Sequence, residues 1–295
     1  MYHEMSQMSQ GMPDFWNNLL REGLTEDGCQ WDWTALGTQK RKNQKLRARV
    51  IAKSEGIWAA EGLVHALMSF SPDLHAESKV SEGQKFKSGD WLVSLAGFAH
   101  EIFALERPFL NLAAYASGIA TATAKVVDQV KQVCPIETPR VTLTRKTLPG
   151  YRDLSIHSVR VGGGYPHRVS LSGGVLIKEN HISAAGSIAQ AIHGAQNVAP
   201  HGLKIQVEVR NLKELQEAEE AGAEGLLLDN FTPDLVKAAL TFLKSKRNRV
   251  TVEVSGGITH TNIAAYAQAG VHVLSLGSLT HSVQAADFSL LVDAE

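Results

Sequence analysis

The rhythm of apolar and polar positions changes near Pro135. Beyond it, short apolar runs alternate with amphipathic stretches. The runs are VTLT (141–144), GVLIK (174–178), KIQVEV (204–209), GLLLD (225–229), VTVEV (250–254) and HVLSL (272–276). Each is too short for a helix, and helical patterns separate them, which is the mark of parallel βα units. The helices carry punctuation. Asn211 with Glu214 three residues on reads as a cap, and Gly222 as the stop. Thr232 and Pro233 read as N-cap and first helical residue, and Thr261 as a further cap. Six runs of this kind predict a barrel in preference to an open sheet. No GxGxxG follows a strand, so a dinucleotide-binding fold has no support.

Upstream the pattern is mixed. A helix is predicted over Asp14–Arg21, a strand over Leu46–Ala52 and a helix over Ile57–Phe70. Turn signals at Glu82-Gly83 and Ser88-Gly89-Asp90 bracket short β segments. A long helical stretch runs from Glu101 to about Lys131, with Pro108 expected to kink or split it. The first dozen residues, MYHEMSQMSQGM, read as a mobile tail. The expected division is a tail at 1–12, an N-terminal α/β domain at 13–132, a barrel at 133–280 and a C-terminal segment at 281–295.

Composition narrows the function classes. The 295 residues carry a formal net charge of -1, which gives no global reason to bind nucleic acid or an anionic membrane. Any anion site must come from locally gathered bases. The two cysteines, Cys29 and Cys134, form no CxxC, which argues against a zinc site or disulfide framework and fits a reducing cytoplasm. The start lacks an apolar signal core. No apolar run reaches membrane-spanning length; the nearest, 57–70, contains Glu61 and His65.

In a βα barrel the active site lies at the C-terminal ends of the strands. Arg145 and Lys146 follow the first run and Lys178 the second. Glu208 lies near the end of the third, and Asp229 ends the fourth. Ser255-Gly256-Gly257 and Gly277-Ser278 follow the last two. Polar residues and glycines thus collect at the expected mouth, and apolar residues are expected to fill the strands. The SGGI and LGSL turns suit a phosphate held on backbone N–H groups, or are simply tight turns that need glycine. Arg145, Lys146, His167, Arg168 and Lys178 fall in one segment around the glycine-rich RVGGGYPHR (160–168). Arginine forks match carboxylates and lysine suits phosphate, so the predicted ligands are polyanions of both kinds. Glu208 and Asp229 fit ligand hydroxyls, a Mg²⁺ ion or a transient cation; alternatively they pair with the nearby bases.

These residues sit in a longer pattern. TRKTLPGYR (144–152), GGGYPHR (162–168), LIKENH (176–181), VEV (207–209), LLLDN (226–230), VEVSGGIT (252–259) and LGSLTHS (276–282) occur in order. They resemble the signature segments of the quinolinate phosphoribosyltransferase family, as do ARVIAKSEGIWAAEG and ERPFLNLAAYASGIAT upstream. The resemblance implies a type II phosphoribosyltransferase fold, an N-terminal α/β sandwich plus an incomplete (open) α/β barrel, with the last segment returning to the first domain. It implies a homodimer, or an assembly of dimers, with shared sites. It implies the Mg²⁺-dependent joining of quinolinate and phosphoribosyl pyrophosphate, with release of pyrophosphate and CO2.

By the same resemblance, Arg145, His167, Arg168 and Lys178 hold the quinolinate carboxylates, joined by Arg107 from the other subunit. Lys146 faces the pyrophosphate, with Lys178 near both substrates. Glu208 and Asp229 serve ribose hydroxyls or Mg²⁺, while Ser255, Gly256, Gly257, Gly277, Ser278 and His281 belong to the phosphoribosyl pyrophosphate side. The chain departs from the family pattern at Pro166, where asparagine is usual, at Pro108, at LSGGV (171–175), and at CQWDWT (29–34). A paralogous group found with molybdenum-transport genes shares several motifs; LIKENH is similar to the quinolinate enzymes. A catalytically silent paralogue should have lost the charged mouth residues, and here they are all present.

Overall fold

The computed structural model describes residues 15–38, 44–246 and 250–293. The expected tail at 1–12, and Asp14 at the start of the first predicted helix, lie outside them. In chain order the elements begin α1 (Phe15–Glu26), a 3-10 turn (Cys29–Trp31), α2 (Trp33–Thr38), β1 (Lys45–Ala52), β2 (Gly56–Ile57) and α3 (Glu61–Leu67). They continue β3 (His75–Ser78), β4 (Lys85–Phe86), β5 (Trp91–Phe98), α4 (Ala99–Val133), β6 (Arg140–Thr142) and α5 (Arg152–Val161). Next come β7 (Val175–Ile177), α6 (Glu179–Ala185), α7 (Ile188–Val198), β8 (Ile205–Val209), α8 (Leu212–Glu220) and β9 (Gly225–Asp229). The chain ends with α9 (Pro233–Lys244), β10 (Thr251–Ser255), α10 (Ile263–Gln268), β11 (Val273–Ser275), α11 (Ser278–His281) and β12 (Phe288–Val292).

Two compact units result. One takes the described residues through Thr121, then 153–162, then those from Val283 onward; the other takes 122–152 and 163–282. The dividing point lies inside α4, at Thr121/Ala122, whereas the sequence pattern placed it after that helix. The first unit holds an antiparallel sheet of order β12-β1-β5-β3, in which Val50 pairs with Val93 on one side and Leu290 on the other. β1 alternates as a half-buried strand should: Ala48, Val50 and Ala52 are buried and Arg47 and Arg49 exposed.

One helix prediction in this unit is corrected, and of the kink or split expected at Pro108 the split does not occur. The chain over 57–60 is not helical, and α3 starts at Glu61. Ile57 instead pairs with Lys85, and its N–H donates to the Thr121 hydroxyl at 2.8 Å. A Cβ on Gly56 would stand 2.6 Å from that same hydroxyl oxygen, so glycine permits the close approach. Pro108 does not split α4, which runs unbroken from Ala99 to Val133. An internal proline costs about 3 kcal/mol. Ile102, Phe109, Leu110 and Leu112, all buried around it, each contribute about 1.5–3 kcal/mol. Burial outweighs the lost hydrogen bond.

The second unit is a parallel six-stranded sheet of order β6-β11-β10-β9-β8-β7. The first strand in sequence lies beside the last, and β6 and β7 are not neighbours. This is a barrel wound nearly around with one open seam; a single bridge, Thr142 to Tyr165, links β6 to the loop before β7. The helices start as read from the sequence at Asn211, which accepts from the Glu214 N–H at 2.9 Å, and at Thr232 with Pro233 behind it. Thr261 is not a cap: α10 begins after Asn262, whose side chain accepts from the Thr259 N–H instead.

The strands are not filled with apolar residues throughout, as expected; they alternate. Val141, Val207, Val209, Leu226, Leu228, Val252, Val254 and Leu274 join one core cluster with apolar residues of the surrounding helices. Residues of opposite parity form two register rows across the sheet, Glu208–Leu227–Glu253–Val273 and Asp229–Ser255–Ser275–Thr142. That second face is the barrel interior, and most of it is polar. Among the described residues no helix is long and apolar enough to cross a membrane.

Candidate active site

All six strands run parallel, so their C-terminal ends share one mouth. Lys178 follows β7, Glu208 lies one residue inside the end of β8, Asp229 ends β9 and Ser255 ends β10. Arg145 and Lys146 come just after β6, and Gly277 just after β11. Arg107 belongs to the other unit. It lies on α4, is 68% exposed in its side chain, and among the described residues has only Glu106, at 3.8 Å, as an ionic neighbour.

One side of the mouth is cationic and uncompensated. Arg168 donates from Nη1 to the Gly174 carbonyl at 2.9 Å. Its pKa lies below the ordinary arginine value, first because of burial and then because of the Arg145 charge nearby. Among the described residues the buried Nε of Arg145 has no hydrogen-bond partner. Among the described residues no carboxylate lies within ion-pair distance of Arg145, Lys146 or Arg168. Two guanidiniums held together against their own repulsion, one with an unused donor, have the chemistry to take up a dianion.

The acids divide. Glu208 bonds directly to the Lys178 ammonium, so pairing with a nearby base accounts for part of its presence. Asp229 has no such cation among the described residues; its carboxylate accepts from the Asn230 amide at 3.0 Å. No group of three or more metal-binding side chains occurs among the described residues. The arrangement offers at most one or two carboxylates, the number Mg²⁺ takes when phosphates supply the rest.

The glycine turns are constrained by geometry. Gly256 and Gly257 have φ of 87° and 63°, and Asn230 on the neighbouring loop has φ of 56°. A Cβ on Gly256 would stand 2.3 Å from the Asn230 amide oxygen and 3.1 Å from its backbone nitrogen, and at this positive φ any other residue would be strained. A Cβ on Gly277 would meet His281 Nε2 at 2.8 Å and Lys146 Cδ at 3.4 Å. Thr280 donates to the Lys146 carbonyl at 2.9 Å. Lys146, Gly277 and His281 are thus one cluster, although more than a hundred positions separate the first from the others. Ser278 opens α11 beside them and is exposed.

His167 leads to residues that reading the strand ends missed. Its Nε2 lies 3.2 Å from Glu253, and its Nδ1 accepts the Arg168 N–H at 2.7 Å. Glu253 is 4% exposed and also accepts from Gln206, at 2.7 Å, and from the Ser275 hydroxyl. Ser275 in turn shares a hydrogen bond of 2.6 Å with Thr142. Burial alone would raise the Glu253 carboxyl, yet these donors, His167 foremost, hold it below the ordinary glutamate value. A signal was available. VEV occurs twice, at 207–209 and 252–254, and a charge inside a buried strand needs partners.

Comparison with known proteins identifies the family. The model of the quinolinate phosphoribosyl transferase C-terminal domain matches residues 119–291, and that of the N-terminal domain residues 32–117. The chain is 39% identical over 263 residues to the "Probable nicotinate-nucleotide pyrophosphorylase (carboxylating)" of Archaeoglobus fulgidus, covering 88% of this chain and 98% of that one. It is 36% identical over 277 residues to the human nicotinate-nucleotide pyrophosphorylase (carboxylating), covering 94% and 91%. The solved nicotinate-nucleotide pyrophosphorylase of Francisella tularensis superposes with a TM-score of 0.87 at 33% identity, over 96% of this chain and 98% of the other. With both domain models matched and near-complete coverage of these relatives, the chain belongs to the quinolinate phosphoribosyltransferase family.

Proposed function

We infer that this mouth joins quinolinate to phosphoribosyl pyrophosphate with loss of one carboxylate, giving nicotinate mononucleotide, pyrophosphate and CO2, a step of NAD biosynthesis. The observation that carries this reading is the uncompensated pair Arg145 and Arg168 in the same mouth as Asp229. A dicarboxylate satisfies the first. A ribose carrying developing positive charge suits the second.

Arg145, Arg168 and Lys178 hold the acceptor's carboxylates, and His167 lies against them. Lys146, Ser255, Gly256, Gly257, Gly277, Ser278 and His281 hold the phosphates, with backbone groups brought close by the glycines. The pyridine nitrogen attacks the anomeric carbon, and the bond to pyrophosphate breaks ahead of it. A pyridine bearing two carboxylates is a poor nucleophile, so the ribose must be strongly electrophilic. Glu208 and Asp229 stabilise that charge, and the bases neutralise the departing pyrophosphate. Once the nitrogen is quaternised, the ring accepts the electron pair released as the 2-carboxylate leaves as CO2. A proton then replaces it.

A divalent-metal requirement follows from the family, and we assign Mg²⁺. Asp229 and Glu208 would be the residues to hold it, directly or through water, together with the bound substrate. When bound it would offset pyrophosphate charge. Arg107, exposed on α4, fits an acceptor contact supplied from a second copy in a homodimer.

Incubation with quinolinate, phosphoribosyl pyrophosphate and Mg²⁺ should yield nicotinate mononucleotide by mass spectrometry. Turnover with another pyridine or pyrimidine acid, but none with quinolinate, would assign the mouth to a different acceptor. Mixing inactive Arg107→Ala and Lys178→Ala proteins should restore some activity, because a mixed dimer holds one site with both residues intact. No recovery after verified subunit exchange would remove the shared site.

A further inference from the structure

We propose that Glu253 is a positioning residue of the acceptor site, acting through His167 to fix the place of the Arg168 guanidinium. The proposal rests on the acceptor reading above and adds a residue which that reading does not need.

Three donors converge on the Glu253 carboxylate inside the barrel: Gln206 from β8, the Ser275 hydroxyl from β11, and His167 from the loop before β7. An ionised carboxylate only accepts, so each of them must donate. This decides the state of His167. Its Nδ1 already accepts the Arg168 N–H at 2.7 Å, so Nδ1 carries no proton. Nε2 carries it and donates to Glu253, and the ring is the neutral Nε2–H tautomer. Both ring nitrogens are therefore engaged by the protein. Ser275, donating to Glu253, accepts in turn from Thr142. One carboxylate thus ties strands β6, β8, β10 and β11 to the loop that carries Arg168.

That loop needs a tie. It opens with Gly162, Gly163 and Gly164, with Gly163 at φ 84°, and such backbone takes many conformations unless pinned. Arg168 is pinned at two points, its backbone N–H on His167 and its guanidinium on the Gly174 carbonyl. Its neighbour Arg145 repels it, so a loosened loop would let the two charges separate. Packing alone does not call for a carboxylate, because barrel interiors are ordinarily filled by branched apolar side chains. The Glu253 carboxyl is buried, and the three donors aimed at it favour its ionised, accepting form.

Two substitutions separate positioning from packing. Glu253→Leu keeps similar volume and removes every acceptor. Glu253→Gln keeps the bonds and removes the charge: its amide oxygen faces His167 and Gln206, and its NH2 donates to Ser275, whose hydroxyl turns toward Thr142. Glu253→Leu should raise KM for quinolinate about tenfold or more, the effect of leaving a buried donor unmet. KM for phosphoribosyl pyrophosphate should stay unchanged, and Glu253→Gln should recover most of the loss. A purely structural residue would lower Tm or move both KM values together.

Ring-labelled wild-type protein should give the nitrogen NMR signature of a neutral Nε2–H imidazole for His167 at pH 7. An imidazolium or an Nδ1–H tautomer overturns the proposal, as does an unchanged quinolinate KM in folded Glu253→Leu. If that variant does not fold, the wild-type NMR and the kinetics of Glu253→Gln decide, and a quinolinate-specific loss in Glu253→Gln as large as that expected for Leu counts against it. Wild-type protein that makes no nicotinate mononucleotide would refute the acceptor reading instead, and the tautomer would still test the tie between Glu253 and His167.

Discussion

The two faces of the barrel sheet are built from the same strands and do different work. On β8, Ile205, Val207 and Val209 are buried in the cluster shared with the helices, while Gln206 and Glu208 face the interior and its hydrogen-bond network. On β10, Val252 and Val254 pack outward and Glu253 and Ser255 lie on the inner rows. Because side chains alternate along a strand, one stretch of five residues supplies cohesion to one side and chemistry to the other. The outer face tolerates any apolar residue of suitable volume. The inner face is exacting, since each buried polar group there must find a named partner.

Substitutions on the two faces should therefore separate cleanly. The largest effect is expected at the cationic edge of the mouth. Arg145→Ala and Arg168→Ala should each weaken quinolinate binding by about 2–5 kcal/mol, the cost of removing one side of a desolvated charge pair. Phosphoribosyl pyrophosphate binding should change less. Calorimetry that finds quinolinate affinity intact in both would dissolve the acceptor site.

Next come the acids. Glu208→Gln and Asp229→Asn keep shape and remove charge, and turnover should fall on the order of a hundredfold with quinolinate affinity little altered. Near-wild-type single-turnover rates in both would return these acids to a structural role.

On the outer face of the same β8 strand, Ile205→Val should cost about 0.5–1.5 kcal/mol of stability by denaturant unfolding. It should leave kcat and both KM values alone. A kinetic change there would mean that the faces are coupled.

The smallest effect is expected in acid. A carboxyl that folding holds below its ordinary value stabilises the folded chain above that value, and the contribution fades as pH falls through the lowered one. For Glu253 the network provides that depression against burial. Glu253→Gln should accordingly flatten the acid limb of the stability–pH profile. An acid limb identical to wild type would show that Glu253 is not the group being titrated.

Much of this was legible in the chain. Four of the six barrel strands lie wholly within the apolar runs and the other two, β6 and β10, overrun theirs by one residue, because a fully covered parallel strand must be apolar on its helix side whatever its neighbours are. The caps at Asn211 and Thr232 were legible because the cap and the N–H it satisfies are three residues apart. The mouth residues could be read from strand ends, since parallel strands bring those ends together.

What escaped depended on contacts distant in sequence. Residues 57–60 look helical, and the Thr121 and Ser117 hydroxyls, the pairing with β4 and backbone bonds from Trp58 to Gly83 and Gln84 hold them out of the helix. Pro108 looks like a break until the buried residues around it outweigh the missing hydrogen bond. Glu253 looked like one more position in an apolar run, because its partners His167, Gln206 and Ser275 lie on three other segments. The sequence by itself determined the local order: which segments are strands, which are helices, and which residue types stand at the mouth. Tertiary structure decided which polar groups meet inside the barrel, which acid is paired and which is free of a cation, and which nitrogen of His167 bears the proton. Local order follows from periods of two and of 3.6 residues, which short stretches carry in full. Polar pairing depends on strand register and barrel closure, which place residues within 3 Å of each other that no short stretch contains together.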